Sequence, residues 1–124
     1  MKLADMSFFR LASQRMEWLA ARQKVIAENV ANADTPGYSA RDVQGFEDFL
    51  NARAAGPRNS SLLARSEPVA IGDAEESWGQ SLDRNTVVQE QQALLAADTS
   101  DQYRLATQLY KKGFDLIALA ASGR

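Results

Sequence analysis

The run AENVANADTPGYSARD, from Ala27 to Asp42, dictates where this chain stops being helical. Asn29 and Asn32 compete with a helix for backbone hydrogen bonds, Pro36 has no N–H to donate, and its ring pushes Thr35 out of the α region. A helix entering this stretch must end near Ala33. Pro36 and Gly37 then suit the two central positions of a type II turn, with φ preset at the proline and positive φ tolerated at the glycine. Tyr38 gives the outgoing chain an amphipathic anchor. Read physically, this is a helix terminus followed by a tight turn, a corner between two arms.

The first arm is amphipathic. From about Ser7 to Ala33, Phe9, Ala12, Met16, Leu19, Ile26, Val30 and Ala33 follow a 3/4 alternation, with Gln23 the only polar member, which describes one seam of a coiled coil. Leu11, Trp18 and Val25 form a second row, turned by roughly a quarter of the circumference at about 100° per residue. One partner helix cannot cover both rows. The second packs either on the middle of the same chain or on neighbouring subunits, and Leu11, Trp18 and Val25 are candidate subunit contacts on the latter reading.

The second arm opens at DRNTVVQE, where Thr86 and Gln89 fit a capping box and Asn85 and Asp83 are competing caps. No proline follows, so the helix can run to about Ala121, roughly 36 residues or about 54 Å. Val88, Leu95, Ala106, Leu109, Leu116 and Ala120 lie on one stripe, broadened by Tyr103, Tyr110, Phe114 and Ile117. Asp101, Arg104, Gln108, Lys111, Lys112 and Asp115 take the opposite side. Gly113 interrupts the stripe at a cost of about 1 kcal/mol relative to alanine, unless it permits a close helix contact. Gln23, Thr99 and Gln102 are polar seam residues of the kind that set register.

Between the arms the character changes. Val43, Phe46, Phe49 and Leu50 allow a short helical turn that Gly45 weakens. NARAAGPRNSS, Asn51 to Ser61, reads as a mobile loop. Leu62, Leu63, Val69 and Ile71 are short apolar pieces that can pack along the helices as extended segments, with no sheet indicated. The expected fold class is therefore all-α: long N- and C-terminal amphipathic helices packed as a coiled coil, with a short irregular middle. The segments are 1–38, 39–82 and 83–124, together one domain. Two helices side by side cannot bury all of these rows, so the organisation itself predicts assembly.

Composition narrows the chemistry. The 124 residues contain no cysteine and no histidine, which removes thiolates and the commonest general base and metal ligand. Fourteen Lys/Arg against sixteen Asp/Glu leave a net charge of -2 without a basic block, so nucleic acid and anionic membranes have no electrostatic support as partners. Asp5, Arg10, Arg15 and Glu17 break any apolar signal core, and no window approaches the roughly 20 apolar residues of a membrane span. Glu75 with Glu76, and Asp98 with Asp101, lack a third ligand, a phosphate cradle or a nucleophile beside them, and solvated helix faces account for them. Trp78 is better read as a tie between the middle segment and a helix than as a partner anchor. Neither a catalytic residue nor a metal nor a cofactor is expected.

Asn29, Ala31, Asn32, Thr35, Pro36, Gly37 and Tyr38, in this order after an N-terminal amphipathic helix, resemble the signature of the bacterial flagellar axial proteins, the family of rod, hook and hook-associated subunits. Arg41, Asp42, Val43 and Phe46 continue the likeness. In the second arm Asn85, Val87, Glu90, Tyr103, Leu109, Tyr110, Lys112, Phe114 and Leu116 fall where the family carries a related pattern, so the resemblance covers about three-quarters of the chain. Larger relatives usually insert β-rich domains between the arms, and the short middle here is similar to that of the proximal rod subunits. Of the two kinds of proximal rod protein, one more often carries extra residues before the tyrosine, and this chain resembles the other.

The resemblance implies export through the flagellar type III apparatus without signal cleavage, and helical polymerisation in the periplasmic rod of the basal body. It further implies a role in motility and, as neighbours, copies of the chain itself, the other proximal rod proteins and the adaptor at the export-gate and MS-ring end. On this reading Phe9, Met16, Leu19, Ile26, Val30, Val88, Leu95, Leu109 and Leu116 form the assembly seam, and Tyr103, Tyr110, Phe114 and Ile117 join the candidate subunit contacts. A free-standing helical adaptor or chaperone is the competing class.

Overall fold

The computed structural model describes residues 3–55 and 69–123. Two long helices, α1 (Leu3–Ala31) and α3 (Gln89–Ala121), frame a middle made of β1 (Arg41–Val43), α2 (Phe46–Ala54) and β2 (Ile71–Asp73). At 1.5 Å per residue α1 and α3 are about 44 and 50 Å long. They run antiparallel. The Phe9 and Tyr110 rings meet edge-on at 5.1 Å, Arg15 Nη2 donates to Gln102 Oε1 at 2.5 Å, and Asn29 Nδ2 donates to Gln92 Oε1 at 3.0 Å. The fold is all-α apart from a small antiparallel ribbon.

Along α1 the expected row faces α3 and the core: Leu19 and Ile26 are buried and Phe9, Ala12 and Met16 half-buried, while Val30 near the corner is exposed. The helix begins at Leu3, ahead of Ser7, because nothing in that stretch breaks it. The second row turns inward at two of its three positions. Trp18 and Val25 are buried within the chain, which removes them from the candidate subunit contacts, and only Leu11 stays exposed. The Trp18 indole N–H donates to Gln44 O at 2.7 Å and its ring meets Phe46 edge-on at 5.8 Å. Trp18, Leu19, Phe49, Val69 and Ala106 form the core.

The contact face of α3 differs from the expected stripe. Gln92, Thr99 and Ala106 are buried against the rest of the chain, and Gly113 continues them at the same seven-residue interval. Leu95, Tyr110 and Ile117 flank this row half-buried. Leu109 and Leu116, placed on the seam by hydrophobicity, are 49% and 58% exposed, and Ala120 is exposed as well. The reason is steric. A Cβ at Gly113 would lie 2.6 Å from Phe8 Cε1, so the aromatic ring rests on bare helix backbone. Helices that approach this closely favour small side chains at the contact, and the bulkier leucines lie outside it.

Three local expectations also change. The N-cap of α3 is Val88, with no side-chain cap; the Thr86 hydroxyl accepts from Ala40 N at 2.7 Å instead, so the capping box is not formed and the helix starts at Gln89. Asn51–Ala54 belong to α2 rather than to a loop, with Gly45 as N-cap, Glu47 and Asp48 in the first turn and Arg53 in the last, as the helix dipole favours. The rest of that loop, residues 56–61, and Leu62 and Leu63 lie outside the described residues. Finally, β1 and β2 pair with Arg41 opposite Asp73, Asp42 opposite Gly72 and Val43 opposite Ile71, an alternation too short to register in sequence. Arg22 reaches from α1 to Asp42 through two bonds of 3.2 and 3.1 Å, and Arg53 makes a similar pair with Glu17 at 2.8 and 2.6 Å.

Two stability outcomes follow from the α1–α3 contact. In the parent chain Gly113→Ala gives no net gain, because the better helix former displaces the Phe8 ring; in a Phe8→Ala background the same change stabilises by about 1 kcal/mol, read from urea unfolding midpoints. The Thr99 hydroxyl is buried with no hydrogen-bond partner among the described residues. Thr99→Val, similar in shape, is expected to raise stability by about 1 kcal/mol in the same assay.

Candidate assembly site

At the corner, the side chain of Asn29 is buried and uses all of its bonding capacity. Its Nδ2 donates to Arg41 O at 2.8 Å and to Gln92 Oε1 at 3.0 Å, while its Oδ1 accepts from Arg41 N at 3.0 Å and from the Tyr38 hydroxyl at 3.3 Å. The amide thus pairs with the backbone of β1 as a neighbouring strand would. Gln92 brings α3 to the same point.

The turn behaves as read from sequence. Tyr38 N donates to Thr35 O at 3.2 Å across Pro36 and Gly37, and Gly37 has φ +74°. Asn32 Nδ2 donates back to Glu28 O at 2.8 Å, and the Thr35 hydroxyl donates to Asn32 Oδ1 at 3.1 Å. Ala31 and Pro36 are exposed and make no such bond.

The reciprocal half comes from the approach to α3. Asn85 is buried, and its Nδ2 donates to Asn32 O and Thr35 O, both at 2.8 Å, while its Oδ1 accepts from Val87 N at 2.8 Å. Gly37 N donates to Asp83 O at 2.8 Å and Thr86 N donates to Tyr38 O at 3.0 Å. Sequence reasoning had Asn85 and Asp83 as helix caps and missed them as clasps on the opposite arm. The spacing Asn85-x-Val87 was the available signal, since the asparagine bonds the backbone two residues on.

Ser81 to Arg84 close a turn whose Arg84 N donates to Ser81 O at 3.0 Å, with Arg84 at φ +65° and Leu82 fully exposed at its tip. The Ser81 hydroxyl bonds the Asp83 carboxylate, which holds that carboxyl below its ordinary range. Trp78 is tied to α3 through its backbone, N–H to Gln91 Oε1 at 3.3 Å, and its ring is exposed. On the other side of the ribbon, Arg15 and Arg22 lie over the Trp18 ring at 4.8 and 5.5 Å. Burial and the neighbouring Arg22 lower the Arg15 pKa, with Asp98 opposing them.

Away from the corner the molecule presents apolar surface. Leu94, Leu105, Leu109, Leu116 and Leu119 are exposed along α3, and Phe8, Leu11 and Phe114 at the open end of the helix pair. Of the other candidate contacts, Tyr103 is exposed, and Tyr110 and Ile117 are half-buried, Tyr110 against Phe9 of α1. Val88 and Leu95 are half-buried in the subunit. Asp98 accepts from Gln102 Nε2 at 2.7 Å, and among the described residues no group of three potential ligands could hold a metal ion. No described helix is long and apolar enough to cross a membrane. The geometry offers an ordered corner and uncovered helix faces.

The family described as "Flagella basal body rod protein" matches residues 9–38, the helix and corner just described. Among curated proteins, the flagellar basal body rod protein FlgB of Agrobacterium fabrum is 32% identical over 111 residues, covering 90% of this chain and 78% of that protein. The protein of the same name from Escherichia coli is 31% identical over 110 residues, covering 78% of this chain and 80% of its own length. That of Salmonella typhimurium is 29% identical over 109 residues, covering 77% and 79%.

Asn29→Asp tests the corner. The isosteric carboxylate loses both donors and, buried, faces Arg41 O and Gln92 Oε1 with like partial charge. A loss of about 3 kcal/mol or more is expected by urea unfolding, with Asn29→Ala slightly less damaging.

Proposed function

Because the chain belongs to the FlgB-type family of flagellar basal-body rod proteins, we propose that it is a structural subunit of the proximal rod. It polymerises helically through α1 and α3, with copies of itself, the other proximal rod proteins and the adaptor at the export-gate end as neighbours. It leaves the cytoplasm through the flagellar type III apparatus, works in the periplasmic rod, and is required for flagellum assembly and motility. Segments 1–38, 39–82 and 83–124 act as one rod-core unit.

One observation carries this reading. Although α1 and α3 already cover each other, the large leucines of α3 remain outside their contact, and α3 seals that contact with Gln92, Thr99, Ala106 and Gly113 instead. A free-standing adaptor or chaperone of this size would gain by reversing the arrangement. A building block needs it as found, because exposed rows on ordered helices become contacts only when neighbours arrive. The structural role is supported further by the corner, whose polar groups are consumed in holding the arms together and leave no assembly of acid, base and nucleophile.

Deleting the gene is expected to stop flagellum construction at the rod stage and abolish swimming, restored by the wild-type chain. Leu116→Asp separates fold from assembly. The side chain is 58% exposed in the subunit, so the urea midpoint should shift little. Once covered by a neighbour the unpaired carboxylate costs about 3–5 kcal/mol, and the variant should fail to restore swimming.

A further inference from the structure

On the flank of the helix pair away from the Trp18 side, Leu19, Ala20, Lys24, Ala27, Ser100 and Tyr103 line a groove of about 460 Å³. At about 100° per residue Ala20 lies nearly opposite Trp18 on α1, and Leu105 lies nearly opposite Tyr103 on α3. The exposed row Leu105, Leu109, Leu116 and Leu119 therefore occupies the other flank from the groove. The two surfaces are complementary in shape. Ala20 and Ala27, two turns apart on α1 with the flexible Gln23 between them, and Ser100 across on α3 leave holes in the groove, and leucines spaced by four, seven and three residues present knobs. They are also complementary in charge, since Lys24 stands in the groove, Asp101 stands one turn before Leu105, and neither has a partner among the described residues.

We propose that the groove receives the α3 leucine row of a second copy of this chain. Leu105 seats between Ala20 and Ala27, Leu109 follows it along the groove, and Asp101 comes within reach of Lys24. The inference rests on the rod-subunit reading and specifies which faces of that subunit meet. Donor and acceptor lie on opposite flanks, so each contact leaves one groove and one row unused at its two ends. Copies then add head to tail instead of closing as a two-fold dimer, and where the rotation between copies does not close a ring an open helical array results.

The absence of native cysteine makes the pairing directly readable. Lys24→Cys and Asp101→Cys are expressed separately and together in cells lacking the parental gene, and the cells are treated with a short bismaleimide. The expected result is a cross-linked dimer when the two single variants are co-expressed, none from either alone, and a ladder from the double variant. A dimer from Asp101→Cys alone overturns the proposal, because α3 rows would then meet each other. Monomers only, in cells where the variants are present, overturn it as well. Charge reversal gives an independent readout: Lys24→Asp and Asp101→Lys should each reduce swimming and together restore it, and full swimming with both single reversals would contradict the pairing. A strain without the gene that still swims overturns the rod reading instead, so the two failures are distinct.

Discussion

An amide has two donors and two acceptor positions, and burying it is costly unless all four are met. Asn29 meets all four within the chain, and the rest of the architecture depends on how. Two bonds take the backbone of Arg41, one takes the Tyr38 hydroxyl and one takes Gln92, so a single side chain holds β1, the turn and α3 against the end of α1. Asn85 does the same from the other arm by donating to the carbonyls of Asn32 and Thr35, which each accept only one backbone N–H within the turn and keep a lone pair for it. The two asparagines are buried and far apart in sequence, so neither is satisfied until both arms are in place. That reciprocity sets the antiparallel register at the corner.

From the corner the register propagates along the helices. With Gln92 opposite Asn29, the residues of α3 that face α1 recur every seventh position as Gln92, Thr99, Ala106 and Gly113. These side chains shrink from the corner toward the open end. The trend lets the bulk on that side come from α1, where Phe8 ends against the glycine backbone. Arg15 reaches Gln102, and the Met16 sulfur lies 3.6 Å from the Thr107 hydroxyl, so polar and polarizable groups contribute where leucines were expected. The large apolar residues of α3 are displaced to the outer flank by geometry, not by a lack of helical periodicity.

This explains which parts were legible in the sequence. Pro36 and Gly37 constrain the backbone wherever they occur, so the corner and its positive φ could be read without knowing any partner. The α1 row was also readable, because Leu19 and Ile26 are the bulky members of their contact. On α3 the hydrophobic stripe and the contacting stripe are different faces of one helix, and a criterion that rewards hydrophobicity selects the wrong one. Thr86 and Gln89 have the spacing of a capping box, yet the hydroxyl finds a better use at Ala40 N across the chain. Tertiary pairing of this kind has no local signature, and the same holds for a ribbon of three residues a side. Trp18 lay between two readings, and its indole bond to Gln44 O decides for the interior.

The separation between what orders the subunit and what it shows to others has an energetic consequence. Order at the corner comes from directional bonds whose partners are all internal, so it does not consume the leucines. Full burial of a leucine is worth about 1.5–3 kcal/mol, and those of α3 retain roughly half or more of their surface. Covering four of them would contribute several kcal/mol per contact. In the head-to-tail array proposed above, every interior copy would both give and receive such a contact, so the gain would accrue once per copy added. A chain that buried its leucines against α1 would be the more stable monomer and would leave little apolar surface for a neighbour to cover. The small residues at positions 99, 106 and 113 are what keep that option closed.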